Sequence, residues 1–356
     1  MNLPRGKGFD GPVGAAPFVA AAPSVLGAET ARRKRLGVCT YSYNLHWKAA
    51  RDGDPKARFK DAIEFVRYCH ELGAGGVQIG VGSRDAEYVQ QLRATAETLQ
   101  MYFEGQTSLP RSPSDVDRFD VEIRVAREAG AGVVRTALLS GRRYETFDSA
   151  EAFRQFTERS WNAVTLAEPV VRKHGVKLAI ENHKDFRVAE QLDLLRRLGS
   201  EYVGVNVDTG NNIALLEEPL AVVEALAPYA FTTHLKDMAV QDDEEGFLLS
   251  EVPLGEGFLD LKRIVAILER ANPGIQFNLE MITRDPLRIP YLTKKYWATM
   301  KEVPARDLAT AVALVRRNPP TKPLPRTSGR SLADQVAFED ENVRKSFSHA
   351  RGRLGL

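Results

Sequence analysis

The chain has 356 residues, 43% hydrophobic and 27% charged, which is the composition of a folded globular protein and argues against disorder over most of its length. Its 49 basic and 47 acidic residues give a net charge of +2, which supplies no field for non-specific binding of nucleic acid. The two cysteines, Cys39 and Cys69, exclude a disulfide framework, and six histidines are too few for a histidine-rich metal cluster. Any metal site must therefore be built mainly from carboxylates.

Residues 1–35 differ from the rest of the chain. Arg5 and Lys7 precede a stretch of small apolar residues, as in a degenerate signal segment with its cleavage site. Three prolines interrupt that stretch and Asp10 precedes it, so an unstructured leader is equally compatible with this segment. Cytoplasmic and periplasmic locations both stay open. No apolar run reaches the roughly 18 residues of a membrane-spanning helix, so no membrane partner is expected.

From residue 36 onward, short apolar runs alternate with longer stretches of helical spacing. Each run is apolar on both faces, as buried parallel strands are. The eight runs cover residues 36–43, 76–80, 101–106, 133–138, 176–182, 203–208, 231–237 and 277–282. Eight β-then-α units predict an α/β fold, the (β/α)8 TIM barrel. The alternative, a doubly wound open sheet, is disfavoured because no glycine-rich phosphate loop follows the first run.

The pattern changes after the eighth run. A helix is predicted at 304–317, then a proline-rich linker at 319–329, then a helical tail that begins after Ser331 as N-cap. We therefore expect a barrel domain at 36–300 and a C-terminal helical extension at 301–356. The extension would pack on the barrel exterior or on a neighbouring subunit, which leaves a homo-oligomer open.

Four consecutive predicted strands end in residues that can bind a metal. Strands five and six end in Glu181 and Asp208, strand seven carries His234, and strand eight ends in Glu280. The active site of such a barrel lies at these strand ends. Three carboxylates and one imidazole suit one divalent ion, Mn²⁺, Mg²⁺, Co²⁺ or Zn²⁺, and would repel one another without it. Each residue could instead have a purely structural role: the aspartate could cap a turn, the glutamates could form ion pairs, and the histidine could be part of the core.

Other polar residues stand near the same strand ends. Lys236 is two residues after His234 and therefore shares its face of the strand, which favours a role in the site. His183 is either a substrate contact or a loop residue. Lys236, His183 and Arg284 are candidates for a phosphate pocket, but no basic cluster clearly marks one, which favours a non-phosphorylated substrate.

These residues lie in strings that resemble the xylose isomerase-like TIM-barrel superfamily, specifically its sugar phosphate isomerase/epimerase members. The strings are AIENHKDF, VNVDTGN, THLKD, PLGEGFLD and NLEMITRDPL. The resemblance implies that Glu181, Asp208, His234 and Glu280 bind a single metal. It also implies that Glu181 and Glu280 are the acid/base pair, which moves a proton beside a carbonyl through an enediolate.

The resemblance further implies that His183, Lys236, Asn211 and Glu256 contact a small-molecule sugar. Two positions depart from the epimerases, which commonly have a histidine at the position of Asn211 and an arginine near that of Lys236. We therefore expect a sugar or keto-polyol isomerase or epimerase. A metal-dependent lyase or dehydratase acting on a keto-sugar or cyclitol, and a non-catalytic sugar-binding barrel, stay open.

The superfamily also contains DNA-repair endonucleases that hold three zinc ions. These enzymes need additional histidines at strand ends two, three and seven. Gln78 and Gln106 lie near two of those places, and the PLGEG string after strand seven has no histidine. Together with the even charge balance, this excludes a nucleic-acid partner.

Overall fold

The computed structural model describes residues 36–54, 57–300 and 302–356, so the expected leader and its signal-like segment lie outside the described residues. The strands are β1 (Gly37–Cys39), β2 (Gly76–Ile79), β3 (Tyr102–Gln106), β4 (Val133–Thr136), β5 (Lys177–Glu181), β6 (Val203–Asp208), β7 (Ala230–Leu235), β8 (Asp237–Asp243), β9 (Gly246–Val252), β10 (Phe277–Leu279) and β11 (Leu287–Ile289). The α-helices are α1 (Asn44–Arg51), α2 (Ala62–Leu72), α3 (Ala86–Thr98), α4 (Val116–Glu128), α5 (Arg143–Thr146), α6 (Ala150–His174), α7 (Val188–Leu198), α8 (Pro219–Leu226), α9 (Leu261–Ala271), α10 (Lys294–Trp297), α11 (Ala305–Arg317) and α12 (Leu332–His349).

Eight of the strands close into a parallel barrel, in the order β1, β10, β7, β6, β5, β4, β3, β2. The barrel closes at β1, where Val38 pairs with Leu279 of β10 on one side and with Val77 of β2 on the other. The barrel strands are the eight predicted from the apolar runs, so the (β/α)8 prediction is confirmed. The carboxyl ends of all eight strands meet at one rim of the barrel.

The helix ends follow from local sequence. Asp61 caps α2, since its Oδ1 accepts a hydrogen bond from the N–H of Glu64 at 2.9 Å. Gly73 ends the same helix with a φ of +85°, a left-handed conformation that residues with a side chain rarely adopt. The apolar faces of the surrounding helices pack on the strands and form one continuous core.

A second, antiparallel sheet in the order β11–β9–β8 was not predicted from the sequence. The β8–β9 hairpin directly follows β7 and packs its apolar side chains, among them Val240, Phe247 and Leu249, against Ile289 of β11 and against α11. This sheet places Glu251 of β9 next to the carboxyl ends of the barrel strands.

The helical tail is confirmed as α12, and Ser331 caps it by accepting the N–H of Asp334 at 3.2 Å. The helix packs against α1 of the same chain. Oε1 of Glu339 accepts the N–H of Leu45 at 2.9 Å, and its Oε2 accepts the N–H of His46 at 3.0 Å. Within the described residues, no helix has the length and apolar character needed to cross a bilayer.

Candidate metal-binding active site

The four predicted ligands come together at the carboxyl rim of the barrel. Glu181 and Asp208 are the last residues of β5 and β6, His234 lies in β7, and Glu280 directly follows β10. Their ligand atoms all lie within 4.8 Å of one another, and each side chain is buried. Nδ1 of His234 is 3.3 Å from Oε1 of Glu280, 3.5 Å from Oε2 of Glu181 and 3.9 Å from Oδ2 of Asp208.

A buried relay orients the His234 ring. Oε2 of Glu104 accepts Nε2 of Gln78 at 3.0 Å, which leaves the Gln78 carbonyl oxygen to face His234. Nε2 of His234 lies 2.7 Å from that oxygen and must therefore carry a proton. In the neutral ring this leaves a lone pair on Nδ1, an atom that is buried and has no hydrogen-bond partner within the described residues. A lone pair aimed between three carboxylates fits a divalent cation.

The electrostatics of the group favour a positive charge at the same point. Burial alone would lower the pKa of His234, but Glu280 and the neighbouring carboxylates raise it well above its usual value. A proton on Nδ1 and a metal ion beside it are therefore alternatives, and an ion that binds here would displace the proton.

Asp208 combines a turn cap with a place in the group. Its Oδ1 accepts the N–H groups of Gly210 and Asn211 at 2.9 and 2.8 Å, while Oδ2 faces His234 and Lys236. Burial raises the pKa of Asp208 to about 6, and the ammonium of Lys236 opposes that rise. Oδ1 of Asp208 thus acts as the turn cap that the sequence suggested, and Oδ2 remains available as a metal ligand.

Two cations hold the glutamates. The guanidinium of Arg135 donates twice to Oε2 of Glu181, with Nε at 2.7 Å, and Asn211 Nδ2 donates to Oε1 at 2.9 Å. Lys236 Nζ lies 2.6 Å from Oε2 of Glu280. Burial disfavours the ionised form of both glutamates. The nearby positive charges outweigh this effect and lower the pKa of each glutamate below its usual range. Both glutamates are therefore ionised at neutral pH.

Lys236 belongs to the group, as the alternation along the strand predicts. Its Nζ is 3.0 Å from Oδ2 of Asp208 and 3.6 Å from Oε1 of Glu251. Glu251 in turn receives two hydrogen bonds from Arg284, at 3.1 and 2.6 Å. The carboxylates around Lys236 raise its pKa against the effect of burial, so the lysine stays protonated.

Asn211 and His183 line the same region. Oδ1 of Asn211 accepts from Lys184 and also from Lys236, the latter at 3.2 Å. The ring of His183 lines the cavity, and burial lowers its pKa to about 3, so the ring is neutral. Its Nδ1 is buried without a hydrogen-bond partner in the described part of the chain.

The structure does not bring Glu256 to this group. Asp237 fixes the conformation of the loop that contains Glu256. Its Oδ2 accepts hydrogen bonds from the N–H groups of Gly255 and Gly257 at 2.8 and 3.0 Å. The side chain of Glu256, between the two glycines, bonds Lys322 and lines a separate cavity under the proline-rich linker. The matching string is thus a folded loop held by Asp237.

A cavity of about 730 Å³ opens above the group. Besides Glu181, Glu280, His183 and Lys236, its lining includes polar residues that the sequence reasoning missed: Tyr41, Gln106, Arg118, Arg135 and Lys184. A charged residue inside an apolar strand, as Arg135 is in β4, was a usable signal because a buried charge requires a partner. Lys184 follows the end of β5 and has no strand periodicity to orient it.

The comparisons with known proteins agree with this architecture. The curated 3-oxo-isoapionate decarboxylase of Pectobacterium atrosepticum is 26% identical over 232 residues, which is 63% of this chain and 77% of that protein. The solved D-psicose 3-epimerase of Clostridium cellulolyticum, with D-tagatose, has a TM-score of 0.54 at 13% identity and covers 80% of this chain and 99% of its own. A Mycobacterium smegmatis protein in complex with magnesium has a TM-score of 0.51 at 14% identity and covers 78% and 98%. A family model described as xylose isomerase-like TIM barrel matches residues 66–303, and the chain belongs to that family.

Proposed function

We propose that this protein is a divalent-metal-dependent isomerase or epimerase that acts on a sugar or keto-polyol through an enediolate. The observation that carries the proposal is the position of Nδ1 of His234, whose ring is oriented by Gln78, among the carboxylates of Glu181, Asp208 and Glu280. Glu181, Asp208, His234 and Glu280 would hold the ion. When bound, it would neutralise the negative charge that develops on two adjacent substrate oxygens.

The protein side chains move the proton. Glu181 and Glu280 are both in the base form, and each has a carboxylate oxygen within 3.5 Å of Nδ1 of His234. Arg135 and Asn211 fix both oxygens of Glu181, whereas Glu280 has a direct proton donor in Lys236 at 2.6 Å. Glu181 takes the proton from the carbon beside the carbonyl. Lys236 passes a proton to Glu280, which delivers it on the opposite face or at the neighbouring carbon, and exchange with solvent then restores both side chains.

Solvent-exchange NMR tests this proposal directly. The protein is loaded with Mg²⁺, since paramagnetic Mn²⁺ would broaden the signals, and is incubated in D₂O with a panel of keto-sugars and cyclitols. Deuterium should enter the α-carbon of at least one compound. Glu280→Gln should slow exchange by about 100-fold or more, while Glu97→Gln, at an exposed glutamate that pairs with Arg93, should not change it. Unchanged exchange in Glu280→Gln would contradict the acid/base assignment.

A lyase is the second candidate, and the decarboxylase relative is the observation that favours it. Loss of CO₂ from a 3-oxo acid leaves the same kind of enolate, which this arrangement of charges would stabilise equally well. Release of CO₂ or water from a substrate, measured beside deuterium uptake, separates the two reactions. Binding of a panel compound without exchange and without release would indicate a non-catalytic sugar-binding barrel.

A further inference from the structure

Two lysine ammonium groups share one neutral acceptor in the wall of the cavity. Nζ of Lys184 and Nζ of Lys236 both donate to Oδ1 of Asn211. The shared oxygen keeps the two positive charges within about 6 Å of each other, a distance at which like charges destabilise one another. Both side chains are 2% exposed, so solvent does not screen the repulsion.

The two lysines differ in their ion pairs. Lys236 has carboxylate oxygens of Asp208 and Glu280 at 3.0 and 2.6 Å. Lys184 has no carboxylate within 4 Å among the residues that the structure describes. The remaining cations of this part of the cavity are compensated as well, Arg135 by Glu181 and Arg284 by Glu251. Within the described residues, the hydrogen bond of the Lys184 ammonium goes to the neutral amide oxygen of Asn211, and a buried charge without a carboxylate partner destabilises the protein unless an anion is bound.

We infer that Lys184 and His183 form an anion subsite of the cavity, and that the substrate carries a carboxylate there. This inference rests on the proposed function only because the subsite and the proposed active site share one cavity. Nδ1 of His183 is buried and has no hydrogen-bond partner in the described part of the chain, so the ring supplies a second polar contact beside the ammonium. The substrate class is therefore a sugar acid or keto-sugar acid.

The surroundings of the subsite favour a carboxylate over a phosphate. A dianionic phosphate is usually bound by several cations or by the free N–H groups that open a helix. The N–H groups of Arg187 and Val188, where α7 begins, are already bonded to the carboxylates of Glu190 and Glu217. Among the described residues, Lys184 is the one cation in contact with the four candidate ligands or with Asn211 that has no carboxylate within 4 Å.

Binding of aldonates tests the subsite without turnover. Threonate, xylonate and gluconate are each compared by calorimetry with the alditol of the same carbon chain and with inorganic phosphate. We expect at least one aldonate to bind about tenfold or more tightly than its alditol, the effect of one charge-assisted contact. Lys184→Met should remove that difference and leave alditol binding unchanged. Lys173→Met, an exposed lysine of α6 that pairs with Asp120, is the matched control.

Stability provides a second readout. Because the uncompensated ammonium destabilises the ligand-free protein, Lys184→Met and Lys184→Gln should melt no lower than the wild type, and aldonates should raise the melting temperature only when Lys184 is present. Equal aldonate binding by wild type and variants, or phosphate binding tighter than every aldonate, would overturn the assignment. Aldonates lack the aldehyde or ketone carbonyl that the proposed reaction requires, so failure of this binding test and failure of the proposed reaction are distinguishable.

Discussion

The bond between His234 Nε2 and Gln78 Oε1, 2.7 Å long and fully buried, determines which ring nitrogen faces the carboxylates. Gln78→Leu keeps the side-chain volume and removes the acceptor. The His234 N–H then lacks a partner, at a cost of about 1–3 kcal/mol. Loss of such an outer contact typically weakens metal binding by about 10–100-fold. We therefore expect the Kd for Mn²⁺ to rise by that factor, together with a modest loss of stability.

Thr232→Val supplies a matched control for this prediction. The substitution is isosteric and removes the 2.7 Å hydrogen bond from Thr232 to Glu104, in the same buried network, without touching Gln78 or His234. Its Kd for Mn²⁺, measured by chelator competition, should change by less than about threefold, although about 1 kcal/mol of stability is lost. A folded Gln78→Leu protein with wild-type affinity would refute the reasoning about the relay.

Three further predictions follow from the same structure. Chelation should lower the melting temperature, because an ion present at about 100 times its Kd contributes about 2.7 kcal/mol to the free energy of unfolding. Arg143→Met should lower that free energy in urea titrations by about 2–3 kcal/mol, since the buried guanidinium bonds Glu190 at 2.7 Å and the carbonyl of Thr299 at 2.6 Å. Carboxylates on α12, chiefly Asp340 and Glu339, raise the pKa of His46 from 6.5 to about 9 despite its burial. Protonated His46 therefore stabilises the folded protein fully below pH 6.5, and this contribution is lost as the pH rises through 9. His46→Gln should remove that part of the stability profile, and an unchanged profile would contradict the assignment.

The barrel could be predicted because its signal is periodic. Each strand is an apolar run of three to six residues, buried on both faces, and each is followed by a helical pattern. Parallel strands place their carboxyl ends at one rim, so the positions of Glu181, Asp208, His234 and Glu280 at strand ends were enough to predict that they meet. No comparable rule exists for the β8–β9 hairpin, and the apolar runs predict no strand between residues 238 and 276.

The rest of the site depends on loops, where side-chain direction has no period. Glu256 lies in a string that matches the family. The direction of its side chain, however, depends on the loop conformation that Asp237 fixes by accepting hydrogen bonds from the N–H groups of Gly255 and Gly257. Lys184 was missed for the same reason, one residue away from His183, which was named. The preference for a non-phosphorylated substrate was made from the absence of a basic cluster in the sequence, and it stays a prediction that the subsite experiment tests.

The balance of charge in the cavity suits the proposed chemistry. A formal charge of −4 on four carboxylates is balanced by +4 on four cations. The carboxylates are those of Glu181, Asp208, Glu280 and Glu251, and the cations are Arg135, Lys236, Arg284 and Lys184. A divalent ion would bring the total to +2, and a bound monocarboxylate would reduce it to +1. Transfer of the α-proton to a glutamate leaves this total unchanged but moves negative charge from the glutamate to the substrate oxygens. The positive charges of the cavity favour that shift, which is a stabilisation specific to the intermediate. A neutral sugar would leave the total at +2 throughout the reaction, so the same balance favours a substrate that carries an anionic group.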